Sequence, residues 1–415
     1  MRHRRKVSEL GAADRVTREK SVEVVKIPSR AELVQRVADI APVLRANALW
    51  SEQNRRLADE VVDAMIGAGV LRMLVPTQYG GYESDMQTVV DVGIQLGRAD
   101  GSPAFCATAW WAQCWAVAHF PDPVQDEIFS DSPDVRICGT LVPNGKGEIT
   151  KDGVLVSGEW GFNSGAWHSQ WKFFSTLALN PAGEIEPIAC VVPMSDLEIV
   201  DDWDVAGLRG TGSITLIARD VFIPRERFQW MSQVARQEYD SERNADSPCY
   251  RGPIIGVLSN INTGKQVGLA QAAREAFLER IHRRTIQHTN YATQAEWPVT
   301  HLQVAEADLK IDEAEYHARR LAALVDHKNL SNEPYTMRER AYCRVAVGRV
   351  SQLCCDAANI YNMANGASGI YSSMPIQRIQ RDLQAISLHA VNMPVKNYEL
   401  YGRVLCGLEP NTFFI

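Results

Sequence analysis

The chain has 415 residues, 46% of them hydrophobic and 22% charged, proportions that suit a water-soluble globular protein with a large core. A formal net charge of −7 argues against a nucleic-acid surface, and no apolar run reaches the roughly 20 residues that cross a bilayer. The nine cysteines are scattered and none stands in a C-x-x-C pair, so no metal site or redox dithiol is expected; they read as buried, reduced thiols of a cytoplasmic protein.

Residues 1–28 are basic but lack the apolar stretch of a secretory signal, and read as a solvated, disordered lead. Residues 29–132 read as a helical domain. Leu33, Val37, Ile40 and Leu44 recur at helical spacing. Leu57, Val61, Val62, Met65 and Ile66 form a second stripe, halted by Gly67 and Gly69. A third helix runs from Gln87 to Arg98. Ser102-Pro103 opens a fourth reaching Phe120, apolar nearly all round and therefore buried.

From 133 to 235 the texture changes to short strands: VRICGTLVP, GVLVSGEWGF, WKFFSTLAL, IEPIACVVP and SITLIARDVFIP, with turn signals between them. Residues 229–252 are polar and aperiodic, and read as a linker or a movable wall beside a pocket. Residues 236–415 form the last unit, where long helical patterns return from Gly256 to Leu405, enough for a four-helix bundle.

Gly207 to Ser213 reads GLRGTGS and runs into the last of those strands. Its glycines permit positive-φ backbone; by residue chemistry alone this is a loop entering a strand. The wording resembles the middle β-domain of the acyl-CoA dehydrogenase superfamily, and the helical, β, helical order matches too. The resemblance implies an α+β fold: an N-terminal α-helical domain, a middle β-domain and a C-terminal four-helix bundle, with flavin bound among them.

Trp160-Gly161-Phe162-Asn163-Ser164-Gly165, followed by His168 and Trp171, is similar to the pattern of the group D flavin monooxygenases, the oxygenase components of two-component systems. That resemblance implies that Ser164 hydrogen-bonds near flavin N5, with Phe162 and Asn163 also at the cofactor. On residue chemistry alone Ser164 is a turn residue and Trp160 is core. Further on, Arg381-Asp382 is common to dehydrogenases and monooxygenases. No dehydrogenase-type glutamate motif follows; His389 and then Leu400-Tyr401-Gly402-Arg403 do, as at the end of a group D oxygenase. The resemblance implies an acid–base role for His389 over the flavin, with Asn392 beside the substrate.

Asn365-Gly366-Ala367-Ser368-Gly369 resembles the family's glycine-rich bend, where Ala367 and Ser368 would touch flavin. Arg283 and Arg284 are both candidates for the flavin phosphate across a subunit boundary. Two departures matter. Phe105 and Gln113 stand where relatives acting on simple phenols carry tryptophan and histidine, and Gly139-Thr140 replaces a serine pair. Thr140 and Phe105 remain cofactor contacts, Gly139 and Gln113 face substrate, and a bulkier substrate is expected.

The resemblance thus implies a monooxygenase that takes FMNH₂ or FADH₂ from a separate flavin reductase. It would form a C4a-hydroperoxide with O₂ and hydroxylate an aromatic, multi-ring substrate, as a cytoplasmic homotetramer. No G-x-G-x-x-G stands between strand and helix, so no nicotinamide site is expected. The alternatives are an acyl-CoA dehydrogenase or oxidase, betrayed by a glutamate base in the flavin pocket; an N- or S-oxidising enzyme on the same scaffold; and a silent flavin-binding protein.

Overall fold

A computed structural model describes residues 26–412 and 414–415, so most of the expected N-terminal lead, 1–25, lies outside the described residues. Five helices come first: α1 (Arg30–Asn54), α2 (Asp59–Gly67), α3 (Met86–Ala99), α4 (Gly101–Val117) and α5 (Asp122–Phe129). A Ser29/Glu32 capping box starts α1, whose Leu33, Val37 and Leu44 are buried at the predicted spacing. As expected, α4 has no solvated face. Its indoles reach three different neighbours: Trp110 Nε1 donates to Ser169 Oγ (3.2 Å), Trp111 to Val70 O (2.6 Å) and Trp115 to Cys249 O (2.8 Å). Burying an indole is favourable only when its N–H finds such a partner.

The middle of the chain is one sheet of eight strands: β1 (Ile137–Thr140), β2 (Lys146–Ile149), β3 (Gly153–Trp160), β4 (Trp171–Leu179), β5 (Ile185–Pro193), β6 (Glu198–Val200), β7 (Thr215–Pro224) and β8 (Phe228–Trp230). The order is β6-β7-β3-β2-β4-β5-β8, and β1 and β2 share one edge of β4, both parallel to it. The long strands match the predicted ones; the short β2, β6 and β8 were not foreseen.

A short α6 (Met231–Ala235) leads to α7 (Ile254–Ile261), α8 (Gly264–Ile281), α9 (Pro298–Ser331), α10 (Met337–Ala364), α11 (Pro375–Ser387) and α12 (Pro394–Leu405). Helices α8 to α11 form the bundle, with α3 packed on α8. That pair closes backbone to backbone. A Cβ on Gly97 would lie 2.3 Å from Lys265 O, and one on Gly268 would lie 2.0 Å from Ile94 O. Among the described residues no helix is long and apolar enough to cross a membrane.

The segment 229–252 is more buried than its polarity suggested, and Gln229, Met231, Val234 and Tyr239 of it line a recess beside α4. Gln229, Ser241, Asn244, Cys249 and Tyr250 are buried. Gln229 Nε2 donates to His119 O (2.9 Å) and Asn244 Nδ2 to Ala118 O (2.8 Å), capping the end of α4. Polar side chains here are consumed by backbone carbonyls rather than by water.

The Arg381-Asp382 pair is a clamp. Asp382 Oδ1 accepts from Leu208 N (2.6 Å), while Arg381 donates to Ala206 O and to Glu52 Oε1 (2.5 Å). It ties α1, the loop before β7 and α11 together. Burial raises the Asp382 carboxyl to about 7, helped by the nearby Asp100 charge, and burial raises Asp100 to about 6. The folded state therefore holds protons that the unfolded chain releases from about pH 4 upward. This stability is present at acid pH and is lost as pH rises through about 7. The melting temperature is expected to fall between pH 5 and pH 8. Asp382→Asn, which keeps an acceptor for Leu208, should flatten that fall; an equal fall in the variant would refute the assignment.

Candidate active site

The site is built where the turn after β3 meets α4. Trp160 fills the β core and donates from Nε1 to Ser175 O (2.9 Å). The chain then turns through two positive-φ residues, Phe162 (φ 62°) and Gly165 (φ 72°). At Gly165 a side chain is excluded twice, by that φ and by the Trp110 ring 2.5 Å from where a Cβ would stand. His168 Nε2 faces Leu57 O at 3.1 Å, docking the far end of the turn on the segment before α2. Asn163 is fully buried: its amide donates to Trp160 O (2.6 Å) and Ile214 O (2.9 Å), and its Oδ1 accepts from the Lys172 ammonium. Its side chain builds the turn and is not available to a cofactor, contrary to the expectation.

Ser164 is left at the inner corner of that turn. Its Oγ lies 2.8 Å from Ser213 Oγ, which lies 2.7 Å from Thr211 Oγ1. Cys106 of α4 touches Thr211 O through its Sγ (3.6 Å). The next residue back, Phe105, is half-buried and meets His389 edge-on at 6.1 Å between ring centres. One face of α4 thus connects the Ser164 turn to the Phe105–His389 wall. Thr140 stands half-buried at the end of β1. Gly139 beside it cannot carry the family's serine, since a Cβ would lie 1.9 Å from Phe173 O.

His389 follows α11 and is exposed. Val391 N donates to its Nδ1 (3.3 Å), so the neutral ring carries its proton on Nε2. Protein packed round the ring pushes its pKa down to about 4, and the Lys265 and Arg344 cations push the same way. Asn392, three residues on, is fully buried; its Nδ2 donates to Ile386 O (3.0 Å) and caps α11, while its Oδ1 has no partner among the described residues.

Along α4 beyond Phe105, the small residues Ala109, Ala112 and Ala116 surround Gln113, whose side-chain amide has no hydrogen-bond partner among the described residues. Ala116 leads into a narrow apolar recess of about 10 Å³ lined with Leu141, Phe173, Met231 and Ile254. On the other side of the protein, Arg284 is committed to Asn365, as is Arg280, whose NH1 donates to Asn365 Oδ1 (2.9 Å). These bonds shape the bend carrying Gly366 (φ 58°), Ala367 and Ser368, with Ser368 Oγ donating to Asn365 O (3.4 Å). The Arg283 guanidinium is exposed and has no partner among the described residues.

Four residues escaped the sequence reading. Thr211 and Ser213 lie in a motif read only for its glycines. Lys172 and Lys265 are buried ammoniums without a carboxylate partner, each pushed by burial to about 7. Lys265 Nζ donates to Thr108 Oγ1 (2.8 Å) and Asn262 Oδ1 (2.6 Å) and sits 4.7 Å from the centre of the Phe105 ring. The signal for Lys265 was its place inside a Gly264-xxx-Gly268 spacing, which marks a face that closes on another helix.

The family model for the N-terminal domain of acyl-CoA dehydrogenases matches residues 31–129, and that for their C-terminal domain matches 262–394. The oxygenase subunit HsaA of a flavin-dependent monooxygenase from Mycobacterium tuberculosis (strain ATCC 25618 / H37Rv) is 30% identical over 90% of this chain and 95% of its own. The chain belongs to the acyl-CoA dehydrogenase superfamily, in its flavin-dependent monooxygenase branch. The oxygenase component of an FADH(2)-dependent resorcinol hydroxylase from Rhizobium sp. (strain MTP-10005) is 29% identical to this monooxygenase, over 91% of this chain and 95% of its own. The structure of XiaF from Streptomyces sp. in complex with FADH2 and glycerol superposes on it with a TM-score of 0.87, at 27% identity, over 92% of this chain and 97% of that one.

The residues present fit a flavin. A serine hydroxyl stands at a turn fixed by positive-φ backbone, and Phe105 meets the exposed His389 edge-on. A free guanidinium is available for phosphate at Arg283. Phe162, 73% exposed at a strained φ, presents a large apolar ring at the same turn.

Proposed function

We propose that this monooxygenase hydroxylates an extended aromatic substrate, taking reduced flavin from a separate reductase. The observation that carries the reading is the setting of His389. Among the described residues the charges that shift it are two cations, Lys265 and Arg344, whereas a dehydrogenase works with a carboxylate base. When bound, reduced flavin supplies the electrons by which one oxygen atom of O₂ enters the substrate and the other leaves as water.

The chain's own residues divide the remaining work. Ser164 and Thr140 hold the ring edge, and Arg283 holds phosphate. Phe105 with Ala109 and Ala112 keeps water from the reacting face. The neutral His389 donates from Nε2–H to an oxygen in the cleft. Gln113 offers its free amide to a substrate hydroxyl. Phe105 and Gln113, standing where the resemblance places tryptophan and histidine in enzymes of simple phenols, support a bulkier, multi-ring substrate.

Leu302, Leu309, Tyr316 and Leu330 are exposed at seven-residue multiples along α9, a seam that supports assembly as a homotetramer. The free cysteines, buried except Cys406, support a reducing, cytoplasmic setting.

The test uses the purified chain with ¹⁸O₂. With NADH alone no oxidation is expected. With chemically reduced FMN or FAD, a naphthol or other two-ring phenol should gain one ¹⁸O atom. NADH-dependent hydroxylation by the chain alone, or oxidation of an acyl thioester, would overturn the reading.

A further inference from the structure

The three hydroxyls beside the cleft have a direction. Thr211 Oγ1 lies 2.8 Å from Leu208 O, and a carbonyl only accepts, so Thr211 spends its proton there. Each hydroxyl has one proton to give. Ser213 must therefore donate to Thr211 across their 2.7 Å contact, and Ser164 must donate to Ser213 across theirs of 2.8 Å. What Ser164 has left is its lone pairs.

The relay is held at both ends. Leu208 O also accepts from Trp203 Nε1 (3.0 Å), and Leu208 N is fixed on Asp382. Gly165 N donates to Thr211 O (2.8 Å), locking the Ser164 turn to the same loop. All three hydroxyl residues are buried, Thr211 to 1% exposure, so water does not compete for their protons.

We propose that Thr211 and Ser213 are positioning residues that hold Ser164 as a hydrogen-bond acceptor toward the flavin ring, so that the site selects reduced over oxidised flavin. Reduced flavin has a hydrogen on N5 to donate; oxidised flavin has a bare acceptor there, which two facing lone pairs disfavour. The inference rests on the reading that Ser164 faces N5.

Dissociation constants for oxidised and anaerobically reduced FMN and FAD, together with the midpoint potential of the bound flavin, test it in Thr211→Val, Thr211→Ser, Ser213→Ala and Ser164→Ala. In Thr211→Val the end acceptor is gone and Ser213 is free to donate toward Ser164, so the relay can reverse. The preference for reduced flavin should fall about tenfold there and in Ser213→Ala, the worth of one hydrogen bond. For a two-electron couple that is a drop of about 30 mV in midpoint potential. Thr211→Ser, which keeps the hydroxyl, should retain the wild-type ratio. If Thr211→Val melts early, Ser213→Ala decides alone. A wild-type ratio in Ser213→Ala with a changed one in Ser164→Ala overturns the relay and leaves Ser164 at the flavin. A wild-type ratio in Ser164→Ala removes Ser164 from N5 and the relay with it.

Discussion

His389→Ala should lose about 10²- to 10⁴-fold in product formation while still binding reduced flavin, the range a positioned proton donor or acceptor contributes. The ring is fixed by Val391 N on Nδ1, which leaves Nε2–H as the group presented to the cleft. His389→Gln keeps an N–H donor but cannot titrate, and so separates the two ways the imidazole can act. If donation is the role, Gln recovers much of the loss; if proton transfer is, Gln behaves as Ala does. The acid side of the pH–rate profile gives a second check. With the imidazole pKa pushed down to about 4, the ring stays neutral well below the ordinary histidine range, and activity should persist to lower pH than a free imidazole would allow. Wild-type turnover by His389→Ala would make this histidine structural.

The parts of this site that were legible in the sequence are those whose packing imposes a pattern. The fourth helix could be read because its apolar residues leave no solvated face. The Ser164 turn could be read only through its resemblance to the group D pattern; the structure supplies the reason for its glycine, since a Cβ on Gly165 would strike the Trp110 ring. Where burial is achieved by hydrogen bonding, composition misleads. Residues 229–252 look solvated, yet Gln229, Ser241 and Asn244 are buried and bonded to backbone and side chains around the end of α4. Asn392 is placed by resemblance alone; nothing in its neighbourhood announces that its Nδ2 caps α11 while its Oδ1 is left without a partner among the described residues. Strands of three or four residues, such as β6 and β8, carry too little alternation to stand out. A lone lysine in a helical pattern reads as a solvated charge; the Gly264-xxx-Gly268 spacing around Lys265 marks a face that closes on another helix, but not that the ammonium is buried against α4.

That lysine is the second large effect. Lys265→Ala should destabilise the fold by about 2–5 kcal/mol, because it removes a buried four-carbon stem that reaches from α8 to Thr108 and Phe105 of α4 and leaves a cavity there. Lys265→Met fills the same volume without the charge. The buried ammonium has only Thr108, Asn262 and the Phe105 ring for partners, so losing the charge removes a desolvation cost along with those bonds. Met should therefore restore most of the stability that Ala loses. It should not restore the pH behaviour. The Lys265 cation disfavours a proton on His389, so its removal raises the imidazole pKa, and the acid limb of the pH–rate profile moves to higher pH; Arg344, the other cation acting on the ring, keeps the shift partial. Thermal melts and an NMR titration of the His389 ring in the flavin-free protein measure the two effects separately. A Lys265→Met variant with wild-type stability and an unmoved His389 titration would reduce Lys265 to a packing residue.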